Sequence, residues 1–156
     1  MIEVEVEDLN WTRVLPTATE VAREAASLAA REAAEESMIA ILLTDDKTLL
    51  DLNRRFRGQD RPTNVLAFPA LARTSSGDLA LAFGVCAREA HDQGKPLGDH
   101  LRHLVIHGVL HLLGHDHQTS DDAAIMEAVE IDLLGRLGVA SPYLGPIDPE
   151  DHVQQE

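Results

Sequence analysis

Residues 107–117 read HGVLHLLGHDH, placing four histidines and an aspartate inside an otherwise apolar run. On a helix, residues four apart lie one above the other on the same face, so His107 and His111 can address a single ion. Gly114 then permits a left-handed backbone turn that residues carrying a Cβ resist. Such a turn lets the chain double back and bring His117 to the same ion. The segment is therefore committed to a helix that stops at a glycine and reverses.

Three neutral imidazoles at ~2.0–2.1 Å satisfy three positions of a tetrahedral Zn²⁺ and leave the fourth open, which is the catalytic pattern. Structural zinc sites usually close all four positions, commonly with cysteine, and this chain has only Cys86. His103 continues the spacing of four, but eight residues of helix rise ~12 Å, too far for His103 and His111 to share one ion. His103 is therefore expected to support the site from behind or to sit in the core. His115 is expected to point away from the ion, and His91, His100 and His152 to lie on the surface. Asp116 either orients His117 or a bound water, or caps a local turn.

The pattern is similar to the zinc-protease motif H-E-x-x-H-x-x-G-x-x-H, with Gly108 standing where the glutamate would be. In those proteases the glutamate deprotonates the metal-bound water and carries the proton to the leaving amine. Gly108, Val109 and Leu110 offer no replacement, so peptide hydrolysis loses its proton carrier. Phosphodiester cleavage depends less on that group, because a metal can polarise the phosphoryl oxygen while an arginine neutralises developing charge. Arg54, Arg55, Arg57 and Arg61 fall together in RRFRGQDR, and the planar guanidinium fork suits phosphate bidentately. The cluster supplies the charge that phosphate chemistry needs, without singling out one arginine.

Net charge is −14, which argues against a general nucleic-acid binder and against DNA. The charge is polarised, however: residues 116–156 carry ten Asp or Glu against one Arg, while the four arginines above cluster within eight positions. The 156 residues fit one domain, and 44 % hydrophobic with 26 % charged residues reads as a soluble globular protein. No apolar run approaches the ~20 residues needed to span a bilayer, so no membrane partner is expected. The acidic, alternating N-terminus MIEVEVEDLN shows no export signal, and a single cysteine, read as a small core residue, is compatible with a reducing cytoplasm.

Strict alternation over IEVEVE predicts a half-exposed strand at 2–7. A turn at Pro16 leads to a helix, with Thr17 and Glu20 at capping-box spacing. SMIAILLT (37–44) reads as a buried strand, DDKTLLDLNRRF as a helix stopped by Gly58, and TNVLAFP (63–69) as an edge or antiparallel strand. TSSGD reads as a turn and LALAFGVC as a strand, bulged or closely approached at Gly84. Helices are expected over 87–94, over about 100–113 with Asp99 as cap, and over roughly 121–138 behind Ser120 or Thr119. GKPLG reads as a loop between the first two of these. The order βαβαββααα indicates an α/β or α+β domain, with one small mixed four-stranded sheet and about five helices over 1–141. Residues 142–156 form an acidic tail, expected to be extended or disordered.

HGVLHLLGHDH, together with LNRRFRGQDRPTNVLAFP, the Gly77–Asp78 pair, EAHDQGKPLGDHLRHLVIHG and Pro142–Tyr143, closely resembles the bacterial YbeY family. These are single-domain, zinc-dependent endoribonucleases, also called rRNA maturation factors, and the likeness runs in the same order along nearly the whole chain. The resemblance implies a compact α/β domain with a zincin-like metal-bearing helix behind the sheet. It implies single-strand-specific cleavage in the cytoplasm, maturing the 3′ end of small-subunit (16S) ribosomal RNA, and removal of defective ribosomes. It matches His107, His111 and His117 to the ligands of one Zn²⁺ ion per chain, and Arg57 to the functionally important arginine. Ribosomal RNA and the small ribosomal subunit would be the partners. A ribosomal protein or assembly GTPase docking nearby would supply selectivity that an acidic surface does not. Two positions depart from the family: Ala67, where members often carry Ser, and His115, where an aromatic residue is common. The alternatives are a ribosome-assembly binding factor with a non-catalytic metal site, and a zinc hydrolase of another substrate class.

Overall fold

The computed structural model describes residues 1–33, 38–69 and 77–143. Its elements are β1 (Ile2–Val6), α1 (Asn10–Val14), α2 (Ala18–Ala30), β2 (Ile39–Thr44), α3 (Asp46–Arg57), β3 (Val65–Pro69), β4 (Gly77–Ala82), α4 (Phe83–Asp92), α5 (Leu97–Leu112) and α6 (Ser120–Arg136). They form one α/β domain around a mixed sheet of order β1-β2-β4-β3, in which β1, β2 and β4 are parallel and the edge strand β3 runs antiparallel to β4.

Alternation along the strands divides the sheet into two faces. Ile39, Ile41, Leu43, Leu79 and Leu81 enter the larger core, which they share with α2 and α5. Helix α2 contributes mainly alanines, Ala22, Ala25, Ala26 and Ala29, and lies against α5 and β1. On the opposite face Leu49 of α3 packs with Leu66, Ala80 and Ala82, and Leu52 and Phe68 close around them. Helix α5 lies at the centre. Every residue from His103 to Leu110 is buried, the pattern of a helix covered on all sides rather than along one stripe.

Two glycines set how closely elements meet. At Gly108 a Cβ would stand 2.7 Å from Leu79 Cδ2, a side chain itself buried in the core, so any larger residue where α5 meets β4 would have to displace Leu79. The vacancy where a zincin carries its glutamate thus has a packing cause. At Gly84 a Cβ would fall 2.4 Å from Asp46 Oδ2. Close approach at Gly84 is as expected, but the residue lies in α4, not in a strand.

That difference has a tertiary origin. The strand expected over 79–86 stops at Ala82, level with the last β2 residue, Thr44. Asp46, opening α3, accepts a hydrogen bond from Val85 N at 3.0 Å and so satisfies an amide in the first turn of α4. Three further expectations change. The capping box at Thr17 does not form, since Thr17 makes no side-chain cap bond and Ala18 N instead donates to Leu15 O at the end of α1. Helix α1 itself, anchored by the buried Trp11, carries no apolar period long enough to announce it, and brings the helices among the described residues to six. Helix α5 starts at Leu97 behind Pro96, which leaves Asp99 in its first turn. Thr119 caps α6, accepting from Asp122 N, and Gly58 ends α3 at φ 64°. Residues 74–76 of the expected TSSGD turn and residues 144–156 of the expected tail lie outside the described residues.

Candidate metal centre and phosphate cavity

His107 and His111 stand one turn apart near the C-terminal end of α5. After Leu112 the helix closes as His115 N returns to Leu110 O at 3.0 Å, and Gly114 takes φ 102°. The chain reverses there, as the sequence implied, and His117 comes back against the two helical imidazoles. Its ring lies 5.1 Å from that of His111 and 5.9 Å from that of His107, centroid to centroid. One ligating atom from each of the three falls within 4.8 Å of the others.

The protonation pattern favours a cation among them. His107 Nδ1 lies 2.7 Å from Glu130 Oε1, and a carboxylate can only accept, so the ring carries its proton on Nδ1 and turns the Nε2 lone pair toward His111 Nε2 at 3.0 Å. The buried Nε2 of His117 has no hydrogen-bond partner among the described residues. Burial, followed by the neighbouring His107 and His117, lowers the pKa of His111 to about 4, so its lone pair is available at neutral pH. Converging nitrogen lone pairs and an orphaned buried nitrogen are what a zinc-type donor set requires before the ion binds.

Glu130 is the residue sequence reasoning missed. It is 1 % exposed and takes His107 on Oε1, and His103 Nε2 (3.0 Å) and the Tyr143 hydroxyl (2.6 Å) on Oε2. Burial opposes its charge, but the hydrogen bonds from His103 and His107 outweigh it and hold the carboxyl well below the usual carboxylate range. Burial, then Glu130, pushes the Tyr143 phenol far up, so it remains a donor. A signal did exist in the sequence: Met126, Glu130, Leu133 and Leu134 share one face of α6, and Glu130 is the charged member of that buried stripe. His103 sits in the core behind His107, as expected.

His100 does not lie on the surface. It is 3 % exposed, with Nε2 at 2.8 Å from Glu89 Oε1, because the close packing of α4 on α5 brings a carboxylate to it. His91 is exposed, and His152 lies outside the described residues. Asp116 Oδ1 accepts from Gln118 N at 3.3 Å, the turn-capping alternative. His115 does not join the three-histidine group.

The open side of the histidines faces a cavity of about 490 Å³ whose wall includes His107, His111, His117, Arg57, Arg61 and Asn53. No carboxylate is among the described residues that line it. Arg57, the last residue of α3, extends along β3, donating from Nη2 to Ala67 O at 2.7 Å and lying 5.9 Å from the centroid of the Phe68 ring. The arginine holds the backbone of residue 67, so the missing hydroxyl of Ala67 takes nothing from this contact. Asn53 Nδ2 donates to Arg61 O at 2.8 Å and ties the loop after α3 to the helix. Arg54 and Arg55 do not line the cavity; both are exposed, and Arg54 Nε is bound to Asp60 Oδ1 at 2.9 Å. A chain of net charge −14 thus presents two arginines, and no carboxylate among the described residues, in the wall where the lone pairs converge.

The family model described as Endoribonuclease YbeY matches residues 3–138. Proteins named Endoribonuclease YbeY from Maricaulis maris and Paramagnetospirillum magneticum are 47 % and 53 % identical to this chain. The first alignment covers 91 % of both chains, and the second covers 67 % of this chain and 70 % of the relative. The protein of that name from Dinoroseobacter shibae is 40 % identical, covering 94 % of this chain and 92 % of its own. The solution structure of a Thermotoga maritima protein shares the fold with a TM-score of 0.60 at 24 % identity, over 88 % of this chain and 92 % of that one.

Proposed function

Since the chain belongs to the YbeY endoribonuclease family, we propose that it is a zinc-dependent endoribonuclease specific for single strands, maturing the 3′ end of small-subunit ribosomal RNA and acting in ribosome quality control. The observation that carries this reading is the shared cavity of three converging imidazoles and two arginines.

His107, His111 and His117 hold one Zn²⁺ per chain, and a bound zinc ion supplies Lewis acidity toward a phosphoryl oxygen. Arg57 binds the scissile phosphate, and its anchorage on Ala67 O and Phe68 limits the rotamer freedom lost on binding. Arg61, in the same cavity wall, contacts the same strand, while Arg54 and Arg55 guide the flanking nucleotides from outside the cavity. Gly108 leaves no proton carrier beside the histidines, which disfavours a peptide substrate. Ribosomal RNA in the small subunit is the substrate, and a ribosomal protein or assembly GTPase supplies selectivity on an acidic surface. The place of action is the cytoplasm. No helix among the described residues is long and apolar enough to cross a membrane.

Metal content and cleavage of a single-stranded RNA carrying the small-subunit 3′ end, measured together, test the reading. The native protein is expected to hold about one Zn²⁺ per chain, the expectation for a three-histidine open site, and to cleave; His111→Ala should lose both. Arg57→Ala should keep the metal and lose cleavage by about 10²-fold, the usual cost of removing a charge-stabilising donor. Absence of stoichiometric metal overturns the proposal. Unchanged cleavage by Arg57→Ala removes Arg57 from the chemistry, and a native protein that binds metal without cleaving would favour an assembly factor.

A further inference from the structure

Behind the three histidines lies a second layer of side chains for which phosphate chemistry gives no direct task. Glu130, His103 and Tyr143 come from α6, α5 and the segment after α6, yet they meet at one carboxylate. Three donors converge on Glu130: His107 Nδ1 on one oxygen, His103 Nε2 and the Tyr143 hydroxyl on the other. The Tyr143 ring also packs edge-on against His103, with centroids 5.9 Å apart.

We propose that Glu130 is the positioning residue of the metal centre, fixing His107 with its Nε2 lone pair toward His111 and His117, and that His103 and Tyr143 hold Glu130 in place. The inference deepens the proposed function and rests on the three histidines being metal ligands.

A helical histidine can rotate about χ2 and can carry its proton on either nitrogen, and only one of those arrangements directs Nε2 at the ion. The 2.7 Å bond to Glu130 selects it before any ion arrives. A carboxylate held by one imidazole alone would itself be free to turn, leaving its second oxygen orphaned in a site that is 1 % exposed. His103 and Tyr143 fill that second oxygen and lock the carboxylate plane. This gives His103 a reason to be a histidine in the middle of a buried helix. It also gives the Pro142–Tyr143 pair a place in the centre, although it follows the last helix. Tyr143 lies 26 positions beyond His117 in the sequence and is joined to His107 through the carboxylate of Glu130.

The test uses the full chain with Glu130→Gln and Tyr143→Phe, and Ile41→Val in β2 as a destabilised control away from the carboxylate. Zn²⁺ affinity is read by competition with a fluorescent chelator. The His107 tautomer is read by long-range ¹⁵N–¹H correlation in the metal-free protein. Native protein should show the Nδ1–H form at His107. Glu130→Gln should weaken Zn²⁺ binding by about 10- to 100-fold, the range for lost orienting partners, with a mixed tautomer signal. Tyr143→Phe should weaken it by about 3- to 10-fold, as for one hydrogen bond, with the fold intact, and Ile41→Val should leave affinity unchanged. If Glu130→Gln does not fold, Tyr143→Phe decides alone. Native-like affinity and tautomer in the folded variants would overturn the proposal while leaving the ligand assignment standing. A native protein that binds no Zn²⁺ would instead remove the ligand assignment on which the proposal rests.

Discussion

Gly108→Ala is the smallest change that probes why α5 carries no side chain at the position after His107. In an open helix the substitution gains stability, because alanine exceeds glycine by about 1 kcal/mol in helix propensity. Here the added Cβ would stand 2.7 Å from Leu79 Cδ2 and 3.2 Å from Cδ1. Leu79 is 1 % exposed, so its side chain must shift against the surrounding core to make room. Overpacking of this kind costs about 1–3 kcal/mol, so the net effect is a loss of about 1 kcal/mol, or about 2–4 °C in Tm for a domain of this size. Gly135→Ala in α6 provides the matched control: an added Cβ there meets nothing within 4 Å, and about 1 kcal/mol should be gained. Thermal and urea unfolding of the two metal-free variants should therefore move in opposite directions from the native protein. A Gly108→Ala protein as stable as Gly135→Ala would show that Leu79 yields, and the packing account of the missing glutamate would be wrong.

Two further predictions concern charge. Glu89 is held below its ordinary pKa: burial raises it, but hydrogen bonds from His100 and Asn64 outweigh the burial, with Lys95 adding a smaller attraction. A depressed folded pKa means stability that is present above the unfolded value and lost as pH falls through the folded one. The native Tm should therefore drop on acidification below about pH 4.5, near the ordinary glutamate pKa, and Glu89→Gln should flatten that drop; an unchanged profile would refute the assignment. For RNA binding, Arg61→Ala should lower affinity and reduce the slope of log K against log salt by about 0.7, one phosphate contact on a single strand. Arg54→Ala, which lies outside the cavity, should change the slope less; equal slopes for both variants would remove the distinction between the cavity wall and its surroundings.

The three-histidine cluster was legible because its geometry is local. Two histidines one turn apart and a glycine break leave few ways to place His117. The sheet was legible because strict alternation marks β1 and short apolar runs bounded by turn residues mark the other three strands. What escaped was set by contacts between distant segments. The end of β4 depends on the carboxylate of Asp46 from α3, and the burial of His100 depends on Glu89 from α4. Glu130 was hidden among the many exposed acids of the C-terminal third, although its position on the Met126–Leu134 face set it apart. The arginine cluster was legible as a cluster only. Its division into Arg57 and Arg61 inside the cavity, and Arg54 and Arg55 outside, follows from where α3 ends against β3.

The edge strand β3 carries one more consequence. Ala82 N donates to Asn64 O, so in the alternating antiparallel pattern Val65, Ala67 and Pro69 direct their backbone groups away from β4. Val65 N is taken by Asn64 Oδ1, Ala67 O is taken by Arg57, and Pro69 has no N–H to offer. An open strand beside a concave cavity would otherwise invite addition of a foreign strand and self-association. Arg57 therefore covers one outward carbonyl of the strand, so a variant lacking it is expected to self-associate more readily, a loss separate from any change in chemistry. Activity lost by Arg57→Ala is interpretable only in material whose hydrodynamic size has been checked.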